Sequence, residues 1–177
     1  MKVLICSDSH TRLNYFQEVM ELEKPELVIF AGDHSTDALD ISLVYEEIPF
    51  KIVRGNTDFS DRKTEDELKF EINGKKILLT HGHLQWVKSS LNELEIRAKE
   101  EEVDICIFGH THRELEIEKD GILYLNPGAL KNKKYMLTPE ETMHEIFKVR
   151  GFIKSGGVTV SGGEPLLQPE FILELFK

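Results

Sequence analysis

The sequence predicts an α/β fold in which helices cover a sheet, and two observations support this class. Between Lys2 and His112, short runs rich in aliphatic residues alternate with longer stretches of helical periodicity, which is the order expected of an α/β protein. Polar residues follow these short runs directly, as they do where strands end at a ligand-binding edge. A length of 177 residues with 40% hydrophobic content suits one compact domain, or one domain with an appended segment.

Five apolar runs are predicted as strands, and three amphipathic stretches are predicted as helices. The strands are Val3 to Cys6, Val28 to Ala31, Lys51 to Val53, Ile77 to Thr80 and Ile105 to Phe108. The helices are Leu13 to Leu22, Ala38 to Glu46 and Leu91 to Glu101. Asn73 with Gly74 and Asp120 with Gly121 are favoured pairs for tight turns and predict two β-hairpins. The paired runs are Leu68 to Ile72 with Lys76 to Thr80, and Leu115 to Glu118 with Ile122 to Leu125.

The sequence changes character after Asn126. A helix start is predicted at Thr138 and Pro139, because threonine, proline and two glutamates form a capping-box pattern. A glycine-rich stretch then encloses a predicted strand from Val158 to Val160, and residues 169–176 read as a closing amphipathic helix. We therefore predict a main domain over residues 1–135 and an atypical segment over residues 136–177.

The candidate site residues come directly after the five predicted strands. They are, in chain order, Asp8 and His10, then Asp33, then Asn56 and Asp58, then His81 and His83, and finally His110 and His112. In α/β sheets the carboxyl ends of the strands form the ligand-binding edge. Five separate segments are therefore expected to bring their side chains to one place.

The chemistry of these residues points to divalent metal ions. Carboxylate, imidazole and amide ligands suit Mn²⁺, Fe²⁺, Zn²⁺ or Ni²⁺, whereas a structural zinc finger requires thiolates. Two ions roughly 3.5–4 Å apart need a bridging group, and a carboxylate supplies one while balancing positive charge. Asp33 is the candidate bridge because it follows the central predicted strand. Asp58 is interpreted as a turn residue rather than a ligand.

The polar residues fall into ordered motifs that match a known superfamily. The motifs are Asp8-Ser9-His10, Gly32-Asp33, Gly55-Asn56-Thr57-Asp58, His81-Gly82-His83, Gly109-His110-Thr111-His112 and Asn126-Pro127-Gly128. Over roughly residues 1–129, the chain resembles the calcineurin-like metallophosphoesterases. It is most similar to their small bacterial and archaeal phosphodiesterase branch, which also includes the retromer scaffold subunit.

This resemblance implies an αββα sandwich with mixed sheets, here lacking the usual last strands. It implies that Asp8, His10 and His112 bind one ion, that Asn56, His81 and His110 bind the other, and that Asp33 bridges them. Mn²⁺ is favoured for both ions. The implied reaction is hydrolysis of a small phosphodiester by a metal-bridging hydroxide, with Asp33, Asn56 and His83 as catalytic residues. His83 has an open alternative as an ordinary polar loop residue.

One position departs from the superfamily pattern. Many members carry a histidine after the asparagine of the third motif, where it assists the leaving group, but Thr57 stands there in this chain. Threonine does not titrate near neutral pH, so general-acid help must come from elsewhere or be dispensable. Two alternatives therefore stay open: a scaffold that keeps the fold without turnover, and an unfinished domain that is inactive.

The C-terminal segment resembles a different family. Residues 156–168, with Ser161, Gly162, Gly163, Glu164 and Pro165, resemble an internal piece of radical SAM activases of glycyl-radical enzymes. Such enzymes hold an iron-sulfur cluster with three cysteines, and this chain has two. Radical chemistry is therefore not expected. Loss of the closing strands would expose a sheet edge, which leaves homo-oligomer formation open.

Charge and composition exclude several other classes. A net charge of −10 would repel a phosphate backbone, so a nucleic-acid polymer is not an expected partner. Cys6 and Cys106 lie in apolar runs and are predicted to be buried thiols. The first residues enter a predicted strand directly and show no signal-peptide pattern. No run is long enough to span a membrane, and a cytoplasmic location is expected. His34 and His144 are assigned to solvent, and neither a nucleophile elbow nor a phosphate loop is present.

Overall fold

The structure, a computed structural model, describes residues 1–11 and 13–130. These residues form three helices, α1 (Leu13–Glu23), α2 (Ser35–Val44) and α3 (Asn92–Glu100). They form eight strands, β1 (Val3–Cys6), β2 (Leu27–Ala31), β3 (Phe50–Val53), β4 (Glu67–Ile72), β5 (Lys75–Thr80), β6 (Ile105–Ile107), β7 (Glu114–Lys119) and β8 (Ile122–Pro127). Every strand and helix predicted within this range is present, and both hairpins form at the predicted turns.

The strands form two sheets rather than one. β1, β2 and β3 make a parallel sheet with β2 at its centre. The other sheet is mixed and has the order β4-β5-β6-β8-β7, in which β6 pairs parallel with both of its neighbours. The predicted α/β class and the mixed sheet are therefore confirmed, and the position of β2 places Asp33 after the central strand of the parallel sheet.

The two faces of β2 show how the layers are stacked. Leu27, Ile29 and Ala31 share an apolar cluster with Ile77 and Leu79 of β5, so the two sheets pack face to face. Because side chains alternate along a strand, the intervening residues of β2 lie on the opposite face. There Val28 and Phe30 pack with Phe16 and Met20 of α1 and with Ala38 and Ile41 of α2.

The other outer layer is supplied by α3. Its buried residues Leu94 and Ala98 pack in one cluster with Leu78 of β5, Cys106 of β6 and Tyr124 of β8. The order of layers is thus helix, sheet, sheet and helix, as the family resemblance implied. Both cysteines are buried free thiols, as predicted, and burial raises the pKa of Cys106 to about 12.

Helix α2 begins at Ser35, three residues before the predicted start at Ala38. Serine, threonine and aspartate are weak helix formers, so their pattern favours a loop at these positions. The structure overrides this preference through a contact from a distant loop, in which Asp58 Oδ1 accepts a hydrogen bond of 3.0 Å from the Ser35 backbone N–H. This satisfies one of the N–H groups that a helix start leaves unpaired.

Several predictions lie outside the described residues. They are the boundary at residue 135, the helices predicted at Thr138 and over 169–176, the strand at Val158, the loss of closing strands and the assignment of His144. No helix among the described residues has the length and apolar character needed to cross a membrane.

Candidate metal centre

The loops that follow the strands of both sheets meet at one place. Two groups of candidate ligands form there, and within each group the ligand atoms lie within 4.8 Å of one another. The first group is Asp8, His10 and His112, and the second is Asp33, His81 and His110. His110 and His112 both follow β6 yet serve different groups, so the groups lie side by side. Four of the five predicted segments supply these residues, and Asn56 of the fifth lies 3.2 Å from His81 Nε2, so the five segments converge as predicted.

Asp8 anchors the first group and is fully buried. Its Oδ2 accepts hydrogen bonds from Ser7 Oγ at 2.6 Å and from the His110 backbone N–H at 3.2 Å. Its Oδ1 is buried without a hydrogen-bond partner, although it lies 3.0 Å from His112 Nε2. A buried carboxylate oxygen with no donor carries a high desolvation cost. A cation between Oδ1 and the imidazoles would meet that cost, and the His10 and His112 ring centroids are 4.8 Å apart.

His81 holds the second group together and is fully buried. Its Nδ1 lies 2.7 Å from the carbonyl oxygen of Ala31, which can only accept, so Nδ1 carries a proton. Nε2 faces Asp33 Oδ1 at 3.4 Å, Asn56 Oδ1 at 3.2 Å and His110 Nδ1 at 3.1 Å. Metal-binding histidines commonly donate their other N–H to a backbone carbonyl in this way. Four electron-rich atoms this close together repel one another unless a proton or a metal cation lies among them.

The electrostatics of the second group favour positive charge at this point. Burial by itself would lower the pKa of His81, but the hydrogen bond and the charge of Asp33 raise it above its usual value. Burial would likewise raise the pKa of Asp33, but the hydrogen bond and charge of His81 hold that pKa far below its usual range. A divalent cation satisfies the same demand for positive charge more fully than one proton.

The pKa values of His110 and His10 are lowered, which favours the neutral imidazole that metal ligation requires. Burial, followed by repulsion from His81, lowers the pKa of His110 to about 4. Burial, and then charge repulsion from His112, lower the pKa of His10. The donor set, the unpartnered oxygen of Asp8 and the protonation states therefore all fit divalent cations.

Asp33 lies where the two groups adjoin. Its Oδ1 accepts a hydrogen bond of 3.0 Å from the Thr57 backbone N–H, and the side chain is only 5% exposed. Its negative charge also acts on His10 of the first group, where it partly offsets the lowering of the His10 pKa. Its position is compatible with the predicted bridging role, which stays a prediction.

The backbone around the centre is strained. Five of the candidate ligands have positive φ, in the left-handed region that L-residues rarely adopt: Asp8 (54°), His10 (52°), Asp33 (56°), His110 (66°) and His112 (57°). Residues held in this region outside glycine typically cluster at functional sites, where the surrounding structure enforces them. The concentration of strain at the predicted ligands supports a functional role for this end of the fold.

Two further histidines, His34 and His83, lie close to the ligand groups. His34, which was assigned to solvent, is only partly exposed, and its ring lies 5.5 Å from that of His10. His34 is therefore not purely solvent-facing: it precedes α2 in a left-handed conformation, with its ring in contact with that of His10. His83 lies beside the second group, 5.4 Å from His81 between ring centroids, and its buried Nδ1 has no hydrogen-bond partner. Burial and then His81 lower the pKa of His83.

The loop that carries Asn56 is fixed by two acidic residues, Asp58 and Asp61, of which only Asp58 was predicted from the sequence. Asp58 Oδ2 accepts from the Gly55 backbone N–H at 2.7 Å, which confirms the expected turn role. Asp61 is 7% exposed and accepts from Ser35 Oγ at 2.6 Å, from the Lys63 backbone N–H at 2.7 Å and from Thr64. Its contacts cross from the loop to α2 and hold the Asn56 loop against the start of that helix.

We expect the substitution Asp61→Asn to lower the free energy of unfolding by about 1–3 kcal/mol, because charge-assisted hydrogen bonds are lost in a buried network. Burial raises the pKa of Asp61, but hydrogen bonds from Ser35 and Thr64 outweigh it and lower the pKa to about 2. An aspartate in an unfolded chain titrates near pH ~3.9. The stabilisation is therefore present above about pH 4 and is lost as the pH falls through about 2.

Urea unfolding of both proteins at several pH values would test this. The difference between wild type and Asp61→Asn should be constant from neutral pH to about pH 5 and should shrink below about pH 4. A difference that stayed constant down to pH ~2 would show that the Asp61 charge contributes nothing.

Comparison with known proteins places these observations in a family. A family model described as the calcineurin-like phosphoesterase superfamily domain matches residues 1–146. The chain is 35% identical over 133 residues to the probable metallophosphoesterase YsnB of Bacillus subtilis, covering 74% of this chain and 76% of that protein. It is 32% identical over 146 residues to the phosphodiesterase MJ0936 of Methanocaldococcus jannaschii, covering 72% and 83%.

Solved structures agree with the sequence comparison. A predicted phosphoesterase from Streptococcus pneumoniae superposes with a TM-score of 0.63 at 31% identity, covering 76% of each chain. Vps29 of Entamoeba histolytica complexed with Zn²⁺ superposes with a TM-score of 0.58 at 26% identity, covering 73% of this chain and 74% of that one.

A second, shorter similarity confirms the resemblance to radical SAM activases. Over 51 residues the chain is 56% identical to the (2S)-3-sulfopropanediol dehydratase activating enzyme of Klebsiella oxytoca. The match covers 28% of this chain and 16% of that enzyme. The likeness is therefore to a short part of that enzyme.

Proposed function

Because the chain belongs to the calcineurin-like phosphoesterase superfamily, we propose that it is a metal-dependent phosphodiesterase that hydrolyses a small phosphodiester. The observation that carries the proposal is the convergence at His81 Nε2, where carboxylate, amide and imidazole donors of Asp33, Asn56 and His110 lie within 3.4 Å. The similarity to a relative named as a phosphodiesterase supports the choice of a diester.

We propose that two divalent ions occupy the centre, with Mn²⁺ favoured over Ni²⁺, Fe²⁺ or Zn²⁺. Asp8, His10 and His112 would hold one, Asn56, His81 and His110 would hold the other, and Asp33 would lie between them. Bound divalent cations lower the pKa of a coordinated water and offset the charge of a phosphoryl group.

The protein residues around the centre have distinct tasks. Asp33 balances positive charge, and its position is fixed by the Thr57 backbone N–H. The Asn56 amide meets both the centre and the cleft beside it, where it would orient a phosphoryl oxygen. His83 lines the cleft beside the centre and its pKa is lowered by burial and then by His81, so a neutral imidazole there would offer a ring N–H to a substrate oxygen. Thr57 supplies no titrating group, so diesters with good leaving groups are the expected substrates.

Removal of metal should abolish turnover and lower stability together. We expect the chelated protein to be inactive towards bis(4-nitrophenyl) phosphate and to regain turnover on addition of Mn²⁺ or Ni²⁺. A cation at 100 times its dissociation constant should stabilise the fold by about 2.7 kcal/mol. A spectrophotometric assay, thermal melting and elemental analysis of the same samples would measure turnover, stability and metal content.

A second candidate is a scaffold that binds metal without turnover. The similarity to the vacuolar protein sorting-associated protein Vps29 and the presence of Thr57 favour it. The two candidates separate cleanly in the same samples. Full metal occupancy and a thermal shift without diester turnover would support the scaffold, whereas metal-dependent turnover would support the enzyme.

The remaining expectations are also proposals. We place the metallophosphoesterase domain within residues 1–135, treat residues 136–177 as an appended segment without its own activity, and assign the protein to the cytoplasm. Its partner would be the small diester rather than a nucleic-acid polymer or a membrane. Self-association through an exposed sheet edge stays open and is measurable by light scattering.

A further inference from the structure

A cleft of 320 Å³ opens beside the second ligand group, in the loop region that follows β3. Its lining includes Arg54, Asn56, Phe59, Arg62, Asp66 and His83. Asn56 and His83 also border the candidate metal centre, so a molecule bound to the metals could extend into the cleft. The volume lies at the lower end of the range of small-molecule sites, roughly 300–1,000 Å³.

The two arginines of the cleft differ in how they are used. Arg54 is fully engaged, because its guanidinium donates to both carboxylate oxygens of Asp66 at 2.7 and 2.8 Å and to the Asp61 carbonyl at 3.2 Å. Arg62 is exposed and forms no ion pair with any part of the chain that the structure describes. Asp58 also lines the cleft, but its carboxylate accepts hydrogen bonds from the Gly55 and Ser35 backbone N–H groups, so the Arg62 guanidinium is the charged group there that an anion can pair with.

Phe59 lies on the same loop and is 84% exposed. Among residues 1–11 and 13–130 it belongs to none of the three apolar clusters, so its ring adds nothing to the core that these residues form. An aromatic face at the edge of a cleft is suited to stack against a flat group, and base–aromatic stacking is worth several-fold to about a hundredfold in affinity.

We propose that Phe59 and Arg62 form a specificity subsite that takes a planar, anionic substituent of the diester, of the kind that a nucleotide provides. The inference rests on the proposed function for the identity of the reacting group but not for binding in the cleft. Phe59 would stack on the base, and the Arg62 guanidinium would pair with a phosphate oxygen.

Equilibrium titration tests binding separately from hydrolysis. The full-length protein, with and without Mn²⁺, would be titrated calorimetrically with adenosine 5′-monophosphate, ribose 5-phosphate and adenosine. We expect adenosine 5′-monophosphate to bind about tenfold more tightly than ribose 5-phosphate. Phe59→Leu should erase that difference, and Phe59→Trp should keep it because the aromatic face is retained.

Substitutions at the neighbouring residues Arg62 and Lys63 test the role of the Arg62 charge. Arg62→Gln should weaken both phosphorylated ligands by up to about fivefold and leave adenosine unchanged. Lys63→Gln, the same charge change at an exposed neighbour outside the cleft lining, should change none of the three affinities. Equal affinities of the wild type for nucleotide and sugar phosphate, or no binding of any probe at millimolar concentration, would overturn the proposal.

Kinetics separate this proposal from the phosphodiesterase itself. If metal-loaded wild type hydrolyses aryl diesters while the Phe59 and Arg62 variants leave every binding constant unchanged, the subsite is wrong and the phosphodiesterase stands. If no diester is hydrolysed but nucleotide binding follows Phe59 and Arg62 as expected, the subsite stands and the phosphodiesterase fails.

Discussion

The substitution Asp33→Asn is expected to lower metal-dependent diester turnover by roughly 10³-fold, because a metal centre supplies several kcal/mol of transition-state stabilisation. Asp33 is 3% exposed and lies 3.4 Å from His81 Nε2. The amide keeps the shape and keeps an oxygen for the Thr57 backbone N–H, but it removes the negative charge that balances the cations. Bound metal measured by elemental analysis should fall together with kcat.

A matched control for this variant lies on α2. Asp40→Asn makes the same chemical change at an exposed position of α2, where the side chain forms no ion pair or hydrogen bond with the described residues. It should leave metal content, kcat and melting temperature within error of the wild type. Retention of two ions per chain and near-normal turnover in Asp33→Asn would contradict both the bridging role and the proposed function of the centre.

Gly55→Ala is expected to lower metal affinity by more than about tenfold and the free energy of unfolding by about 1–3 kcal/mol. A Cβ at this position would overlap both the Oδ1 and the backbone nitrogen of Asp33. Neither atom can move aside cheaply, because Asp33 Oδ1 is bonded to the Thr57 backbone N–H and the main chain leaves β2 at this point. A single methyl group would therefore displace the candidate bridging carboxylate.

Gly74→Ala separates this effect from a general loss of stability. Gly74 has a φ of +78° in the first hairpin, and a Cβ there would meet nothing within 4 Å. Its substitution costs backbone strain of about 1–2 kcal/mol far from the site and should leave metal affinity unchanged. Calorimetric Mn²⁺ titration and urea unfolding of both variants would distinguish the two effects. Equal metal affinities would show that the close approach of Gly55 to Asp33 does not shape the centre.

Much of the fold was predictable because local signals agreed with it. The fully buried run of β2 and the turn pairs at Asn73 and Asp120 each fixed an element within about a residue. The division into two sheets was not visible in the pattern itself, because strand pairing between distant segments leaves no local periodicity. It came only from the resemblance to a known family.

The ligands of the candidate site were predictable from the sequence, but the residues that support their loops were not. Ligands after strand ends carry a positional signal, and Asp8, His10, Asp33, His81, His110 and His112 all lie in the two groups. Asp61 and His34, by contrast, carry no such positional signal in the sequence. Asp61 acts through Ser35, 26 positions away in the chain, and the ring of His34, a residue in a left-handed conformation, contacts that of His10. Such contacts are set by tertiary packing, which no single segment encodes.

Each ligand group has members from both sheets. A bound ion would therefore resist separation of the two sheets by force or by heat. Asp8, His10 and Asp33 extend from the parallel sheet, whereas His81, His110 and His112 extend from the mixed sheet. A cation held in either group is therefore a cross-link over the open end of the apolar layer between the sheets. Neither sheet supplies a whole group, so a fully coordinated ion would require the two sheets to be packed together.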